Sequence, residues 1–377
     1  MFSIYNTILR RKELLIVISI LIIAAYLRFW DLGIVGFNND EAVYSGQAAT
    51  LAGHEEFKKH FSLTRAHPLL LQSIISIIYF FYGVSDVAAR MVSAAFGTST
   101  VLILYLTGRI LYEKKVAIAA ALVTAVIPYH VMVTRQAMVD VPLSFFFILT
   151  IFFIAKYINS KTAKSEISNH GSRIWLYAIG ISCGLSFLSK EVGILTLLAS
   201  IAFLTITRRL RFSQLAKLII TFTAVISPHF IFILSSSERT FTKFLYFNWQ
   251  SSRPPNHGPD FYFDVLGMGL NYVLSILLIG SIIYSLKNRK DSNLLLLAFI
   301  IIPFAFFQLW PTKGFHYLVP LIPVMVLLTM SFILTSDWMK RLPYSRMVSV
   351  ILIIVIILNT NNIVSFFGGK DPIYLAG

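Results

Sequence analysis

Residues 68–82 read Pro68-Leu69-Leu70-Leu71-Gln72-Ser73-Ile74-Ile75-Ser76-Ile77-Ile78-Tyr79-Phe80-Phe81-Tyr82 and stop at Gly83. The run is apolar enough to enter a bilayer, yet it falls short of the roughly 20 residues a helix needs to cross one. Whether it crosses decides the topology, because one extra span inverts every later loop. The chain around it is of the same kind: of 377 residues 57% are hydrophobic and 13% charged, with a mean hydropathy of +0.76. Soluble domains carry about twice that charged fraction. A soluble enzyme and a disordered or nucleic-acid-binding tail are therefore excluded. The alternating short strands of a membrane β-barrel are missing. The reading is an all-α polytopic membrane protein.

Outward from 68–82, apolar blocks long enough to span fall at 12–30, 87–111, 116–134, 141–158, 174–189, 192–207, 218–234, 269–286, 293–309, 317–335 and 347–365, about eleven helices in all. The charges place 68–82. The formal net charge is +15. If 68–82 does not cross, the Lys/Arg excess falls wholly on the N-terminal side of the membrane, as the positive-inside rule requires, and the other side balances to zero. If it crosses, Lys114-Lys115, Arg208-Arg209-Arg211 and Lys287-Arg289-Lys290 all face outward. Residues 68–82 are thus expected to form an interfacial helix within a first outer loop, 31–86. A second long outer loop covers 235–268. Arg10-Arg11-Lys12 followed by the apolar run 14–27 resembles a signal peptide without its cleavage site, so an uncleaved first span with a cytoplasmic N-terminus is expected. The single cysteine, Cys183, supports neither a disulfide nor a cysteine metal site.

The first loop contains Asn38-Asn39-Asp40-Glu41-Ala42-Val43-Tyr44 ahead of a helix expected over about 41–52. Asp40 suits an N-cap, and it equally suits a catalyst; the residues alone leave both open. Glu41 would sit in the first turn, where a carboxylate suits the helix dipole. Arg65-Ala66-His67-Pro68 opens the interfacial helix, with Pro68 at a natural first position. His67 there reads as a solvated interfacial histidine as readily as a ligand group. Arg90 begins the next span, Arg135 and Asp140 occupy a short outer turn, and Lys190-Glu191 another. Lys313, His316 and Tyr317 lie at the start of the tenth span. Each alone is explained by snorkelling. Together, carboxylates and cations recur at span ends on one face, at the depth of a lipid headgroup.

Such a face suits a lipid-phosphate substrate, because Arg and Lys make charge-assisted bonds to phosphate oxygens. If the lipid carries a sugar, the phosphate leaves as a stable anion and needs no general acid, unlike a glycosidase leaving group. One carboxylate to take a proton from an acceptor hydroxyl, with cations around the departing phosphate, completes the set.

These motifs, in order, resemble the GT-C superfamily of polytopic glycosyltransferases, and within it the branch of the dolichyl-phosphate-mannose protein O-mannosyltransferases and the aminoarabinose lipid A transferases. The likeness rests on Asp40-Glu41, His67-Pro68, Arg90-Met91, Arg135…Asp140, Ser189-Lys190-Glu191 and Lys313…His316-Tyr317-Leu318…Pro320…Pro323. One proline rather than two follows His67, and Lys-Glu replaces the commoner Lys-Gly. The resemblance implies inverting transfer of a monosaccharide from a dolichyl- or undecaprenyl-phosphate donor to a hydroxyl of a protein, lipid or glycan, on the extracytoplasmic face of the cell membrane. It implies Asp40 as base, with Glu41 and Asp140 beside it. It implies His67, Arg90, Arg135, Lys190, Lys313 and Tyr317 as holders of the donor phosphate. Arg253, His257 and His316 would belong to a donor-covering loop region. No cofactor is required on this reading; a divalent cation is compatible with it but not indicated, since neither a Trp-Trp-Asp-x-x-Asp nor an Asp-x-Asp motif is present. One transmembrane domain over 1–377, without a separate soluble domain, is expected. The rivals are a transporter or lipid flippase, which would place ionisable residues at mid-span, and a catalytically silent scaffold of the same fold.

Overall fold

The computed structural model describes residues 2–64, 67–162, 166–235 and 248–341. Among these residues the chain is helical, with no strand. Backbone in a bilayer must satisfy its own hydrogen bonds, and helices do so within one segment. α1 (Phe2–Phe29) leads into the first loop, which holds α2 (Asn39–Leu51), the one-turn α3 (Glu55–Lys58) and α4 (Leu70–Tyr82). Then come α5 (Asp86–Leu111), α6 (Lys114–Val126), α7 (Pro128–Thr134), α8 (Asp140–Thr162), α9 (Glu166–Ser189), α10 (Ile194–Ile206) and α11 (Phe212–Ser235). α12 (Phe261–Leu270) begins within the second loop, and α13 (Tyr272–Asn288), α14 (Asp291–Leu309), α15 (Ile322–Thr335) and α16 (Asp337–Lys340) follow it.

Among the described residues, five segments are long and apolar enough to cross a membrane: Asp86–Leu111, Asp140–Ser160, Phe212–Ser235, Asp291–Leu309 and Phe315–Lys340. Two bent pairs, α6 with α7 and α12 with α13, bring this to seven if each pair is one crossing. The expectation of about eleven crossings is not established by these helices, and the block expected at 347–365 lies outside the described residues. α4 is about 20 Å long at 1.5 Å per residue, against a hydrocarbon core of about 30 Å. It buries Leu71, Gln72, Ile75 and Tyr79 and exposes Ile77, Phe80, Phe81 and Tyr82.

The span expected over 116–134 is broken by a bend of 61°, and the one expected over 269–286 forms as α13, joined to α12 through a bend of 113° at Asn271. Pro128 causes the first break. It has no N–H, so the carbonyl four residues back, on Thr124, loses its helical donor. The fully buried Arg28 replaces it. Its Nη2 donates to the Thr124 carbonyl (3.2 Å) and to His130 Nδ1 (2.8 Å), and its Nη1 to the carbonyls of Ala125 and Ala24 (both 3.0 Å). At the second break Asn271 adopts φ +59°. Its side chain accepts from the Leu274 N–H at 2.9 Å and so caps α13.

The helices α5, α8, α9 and α11 pack side by side, with α6 on the other flank of α5 and α1 against both. α15 is the innermost helix, buried from Ile322 to Ile333 against α6, α13 and α14. α8 and α9 form an antiparallel hairpin, so Asp140, the first residue of α8, lies at the same end as Lys190, the residue after α9. The first loop and the turn before α15 gather at that end.

Candidate active site

The entry to α2 is capped by Asn38. Its side chain accepts from the Glu41 N–H at 2.9 Å, and the Glu41 carboxylate accepts from the Asn38 N–H at 3.2 Å. This is a reciprocal capping box. The N-cap duty considered for Asp40 therefore falls to Asn38, and Asp40 stands one position inside the helix. Its carboxylate is exposed and makes no hydrogen bond or ion pair with another described residue.

Glu41 and Arg90, expected at the reaction centre and on the donor phosphate, are bound to each other. Glu41 is fully buried and Arg90 3% exposed. Arg90 Nε donates to Glu41 Oε1 and Nη2 to Oε2, each at 2.7 Å. Its other donors serve the carbonyls of Leu32 (2.7 Å), Val35 (2.6 Å) and Gly36 (2.9 Å). A guanidinium has five N–H donors, and all are spent inside the protein. Glu41 Oε1 also accepts from the Ala137 N–H at 2.8 Å. The pair is a clamp that ties the loop before α2 to α5 and to the 135–139 turn. In this geometry the bonding capacity of both groups is taken up by protein partners.

Asp140 and Lys190 form the second buried pair. Lys190 Nζ reaches both Asp140 oxygens, at 2.9 and 3.0 Å, and sits 4.3 Å from the centroid of the Tyr317 ring. His316 Nε2 lies 3.8 Å from Asp140 Oδ2. The tight turn that presents Lys190 depends on Gly193, where a Cβ would fall 2.2 Å from the Ser186 backbone. Burial disfavours the Lys190 ammonium, but the Asp140 carboxylate outweighs it and holds the group above the ordinary lysine range. The pair is therefore ionised and nearly neutral in sum.

The remaining expected residues are placed as follows. His67 Nδ1 lies 2.6 Å from Glu191 Oε2. Lys313 is 9% exposed, and its ammonium has no partner among the described residues. Its backbone is fixed from both sides by Asn256, whose Oδ1 accepts from the Lys313 N–H (2.8 Å) and whose Nδ2 donates to the Lys313 carbonyl (2.9 Å). Arg135 donates to the carbonyls of Leu27 (2.9 Å) and Asp31 (3.1 Å) and so anchors the end of α1. Arg253 is stacked 4.8 Å from the centroid of Trp249, and His257 on Phe261 at 4.0 Å. Arg65 lies outside the described residues.

Tyr44 was not among the expected site residues. It is one helical turn after Asp40, hence on the same face of α2. It is 4% exposed, and its ring lies 6.1 Å from that of His67. Burial pushes its phenol well above the ordinary range, and the Asp40 charge adds to this, so it stays a proton donor. The i, i+4 spacing to Asp40 was the signal available for it.

The structure thus brings together a carboxylate without a partner among the described residues (Asp40), a neutral-in-sum ion pair (Asp140–Lys190) and two phenols (Tyr44, Tyr317), with Lys313 four residues before Tyr317. The Asp40 charge is felt at Tyr44, Lys190 and His316. An exposed carboxylate whose charge reaches a buried ammonium suits proton abstraction near an anion. Among the described residues, no group of three or more His, Cys, Asp or Glu converges to hold a metal ion.

Residues 66–232 match the dolichyl-phosphate-mannose-protein mannosyltransferase family. An uncharacterised protein of Aquifex aeolicus is 24% identical over 342 residues, covering 88% of this chain and 65% of its own length. ArnT from Cupriavidus metallidurans, crystallised with undecaprenyl phosphate, superposes with a TM-score of 0.71 at 16% identity, over 92% of this chain and 62% of its own. The oligosaccharyltransferase AglB of Archaeoglobus fulgidus, solved with an inhibitory peptide and a dolichol-phosphate, gives 0.64 at 15% identity, over 96% and 56%. The chain spans less than two thirds of the length of these relatives. It shares the fold of these two solved structures, and over residues 66–232 it is similar to the dolichyl-phosphate-mannose-protein mannosyltransferase family.

Proposed function

We propose that this chain transfers a monosaccharide from a polyprenyl-phosphate donor to a hydroxyl acceptor on the extracytoplasmic face of the cell membrane. One observation carries the reading. Asp40 is exposed, has no partner among the described residues, and lies close enough to Tyr44 and to the Asp140–Lys190 pair for its charge to act on them. The lipid phosphates held by ArnT and by the Archaeoglobus enzyme support the donor class.

The reaction runs as one displacement. The acceptor oxygen bonds to the anomeric carbon from the face opposite the phosphate. The bond from that carbon to the phosphate oxygen breaks and the electron pair leaves with the polyprenyl phosphate. Asp40 takes the acceptor proton. Lys313 stabilises the departing phosphate, with the third N–H of Lys190 and the Tyr44 and Tyr317 hydroxyls as further donors. His67, braced by Glu191, orients the same group. Asp140 keeps Lys190 in place, and Glu41 with Arg90 holds the helix that carries Asp40. A leaving phosphate requires neither a general acid nor a metal in principle.

On this reading the chain is one transmembrane domain over 1–377, with about eleven spans and a cytoplasmic N-terminus. The test is transfer from a panel of labelled polyprenyl-phosphate sugars to membrane extract, with the product's anomeric configuration read by NMR. A product of configuration opposite to the donor's is expected. Retained configuration refutes the single displacement, and failure to bind any donor refutes the donor class.

A further inference from the structure

A second polar site lies at the opposite membrane face. Tyr157 is about 25 Å along α8 from Asp140, and Arg173 is a similar distance back along α9 from Lys190, at 1.5 Å per residue. There the ends of α8 and α9 and the start of α11 enclose a cavity of about 190 Å³. Arg173, Arg211 and Lys217 line it, with Tyr157, Tyr177, Ser213 and others, and among the described residues its lining holds no carboxylate. Among the described residues the three cationic side chains have no ion-pair partner. The neighbouring Arg209, in contrast, is neutralised by Asp291 at 2.6 Å. The start of α11 adds free N–H groups and the positive end of a helix dipole. Gln214 fixes this start by accepting from the Arg211 N–H at 2.9 Å, and the Tyr157 hydroxyl donates to the Arg209 carbonyl at 3.2 Å. Three cations lining one cavity favour an anion there through charge-assisted hydrogen bonds.

We infer that this cavity binds a phosphate group, remote from the transfer site. Its depth at a membrane face suits the phosphodiester of an anionic lipid, with Tyr177 at the headgroup level; a soluble phosphate has the same chemistry. Arg211 and Lys217 contact the phosphate oxygens and Arg173 closes the rim.

The full-length protein in detergent is titrated with phosphatidylglycerol or phosphatidylcholine and lipid adducts are counted by native mass spectrometry. Phosphatidylglycerol is expected to bind more tightly. Arg211→Gln with Lys217→Gln is expected to weaken it about 25-fold, at about fivefold per cation near an anionic group, without changing phosphatidylcholine binding or the unfolding temperature. If the double variant does not fold, Lys217→Gln alone reads the effect at about fivefold. Displacement of phosphatidylglycerol by millimolar inorganic phosphate would name a soluble phosphate as the ligand, and resistance to it the lipid. Equal affinity of wild type and variant for phosphatidylglycerol, or no preference over phosphatidylcholine, overturns the inference. None of these readouts depends on sugar transfer.

Discussion

Replacing Arg90 by Met tests whether the guanidinium is a structural clamp or a substrate contact. Arg90 gives two 2.7 Å bonds to the fully buried Glu41 and serves three backbone carbonyls. Its removal leaves a carboxylate buried without its cation, and breaking a buried pair from one side costs about 3–5 kcal/mol. The orphaned carbonyls of the 32–36 loop bring the expectation to the upper end of that range. Glu41→Leu is expected to cost a similar amount, because Asn38 and Ala137 lose their acceptor as well. The double variant Arg90→Met/Glu41→Leu removes both charges, so its cost should fall short of the sum by about 2 kcal/mol or more. Reversible unfolding followed by tryptophan fluorescence measures all three. Stability of Arg90→Met within about 0.5 kcal/mol of wild type, with donor binding lost, would refute the clamp and return Arg90 to the phosphate.

Arg28→Met is expected to destabilise by about 1–3 kcal/mol, the cost of buried carbonyls without donors. The loss should shrink in a Pro128→Ala background, where residue 128 regains an N–H for Thr124; an undiminished loss counts against Arg28 as the mender of that break. Lys313→Ala is expected to weaken polyprenyl-phosphate binding about 10–100-fold, the worth of one charge-assisted hydrogen bond, with the melting temperature unchanged. Unaltered binding would remove Lys313 from the phosphate. Lys190 is held above the ordinary lysine range. A raised pKa gives stability that is complete below the unfolded value and lost as pH rises through the folded one. The stability gap between wild type and Lys190→Met should thus be constant from about pH 6 to 9 and narrow only beyond about pH 10.4; a gap that closes near neutrality contradicts an ionised pair.

The sequence made legible what depends on neighbours along the chain and hid what depends on distant partners. Long apolar helices such as Asp86–Leu111 and Phe212–Ser235 follow from hydropathy alone. That Asp40, Asp140, Lys190 and Lys313 stand where apolar runs are interrupted is likewise read from the sequence. The pairing of Arg90 with Glu41 was not legible, because the two are 49 residues apart and a lone arginine at a span end looks free. Asp140 and Lys190 are 50 residues apart and pair only once α8 folds back on α9. Two local signals were present and outweighed by overall hydropathy. Asn38 and Glu41 have capping-box spacing, and Pro128 within an apolar block marks a break. Arg28, at the end of the first apolar run, mends that break from 96 residues away, which no local pattern shows.

The most direct test is sugar transfer by Asp40→Asn. Because Asn38 caps α2 and Asp40 is exposed, the substitution gives up only the favourable helix-dipole position, about 0.3–1 kcal/mol. The variant should fold, melt near wild type and bind the donor. With donor and acceptor saturating, its transfer rate should fall by at least the 10²–10⁴-fold typical of a lost general base. Transfer at the wild-type rate by a correctly folded Asp40→Asn protein would contradict the assignment of Asp40 as the base.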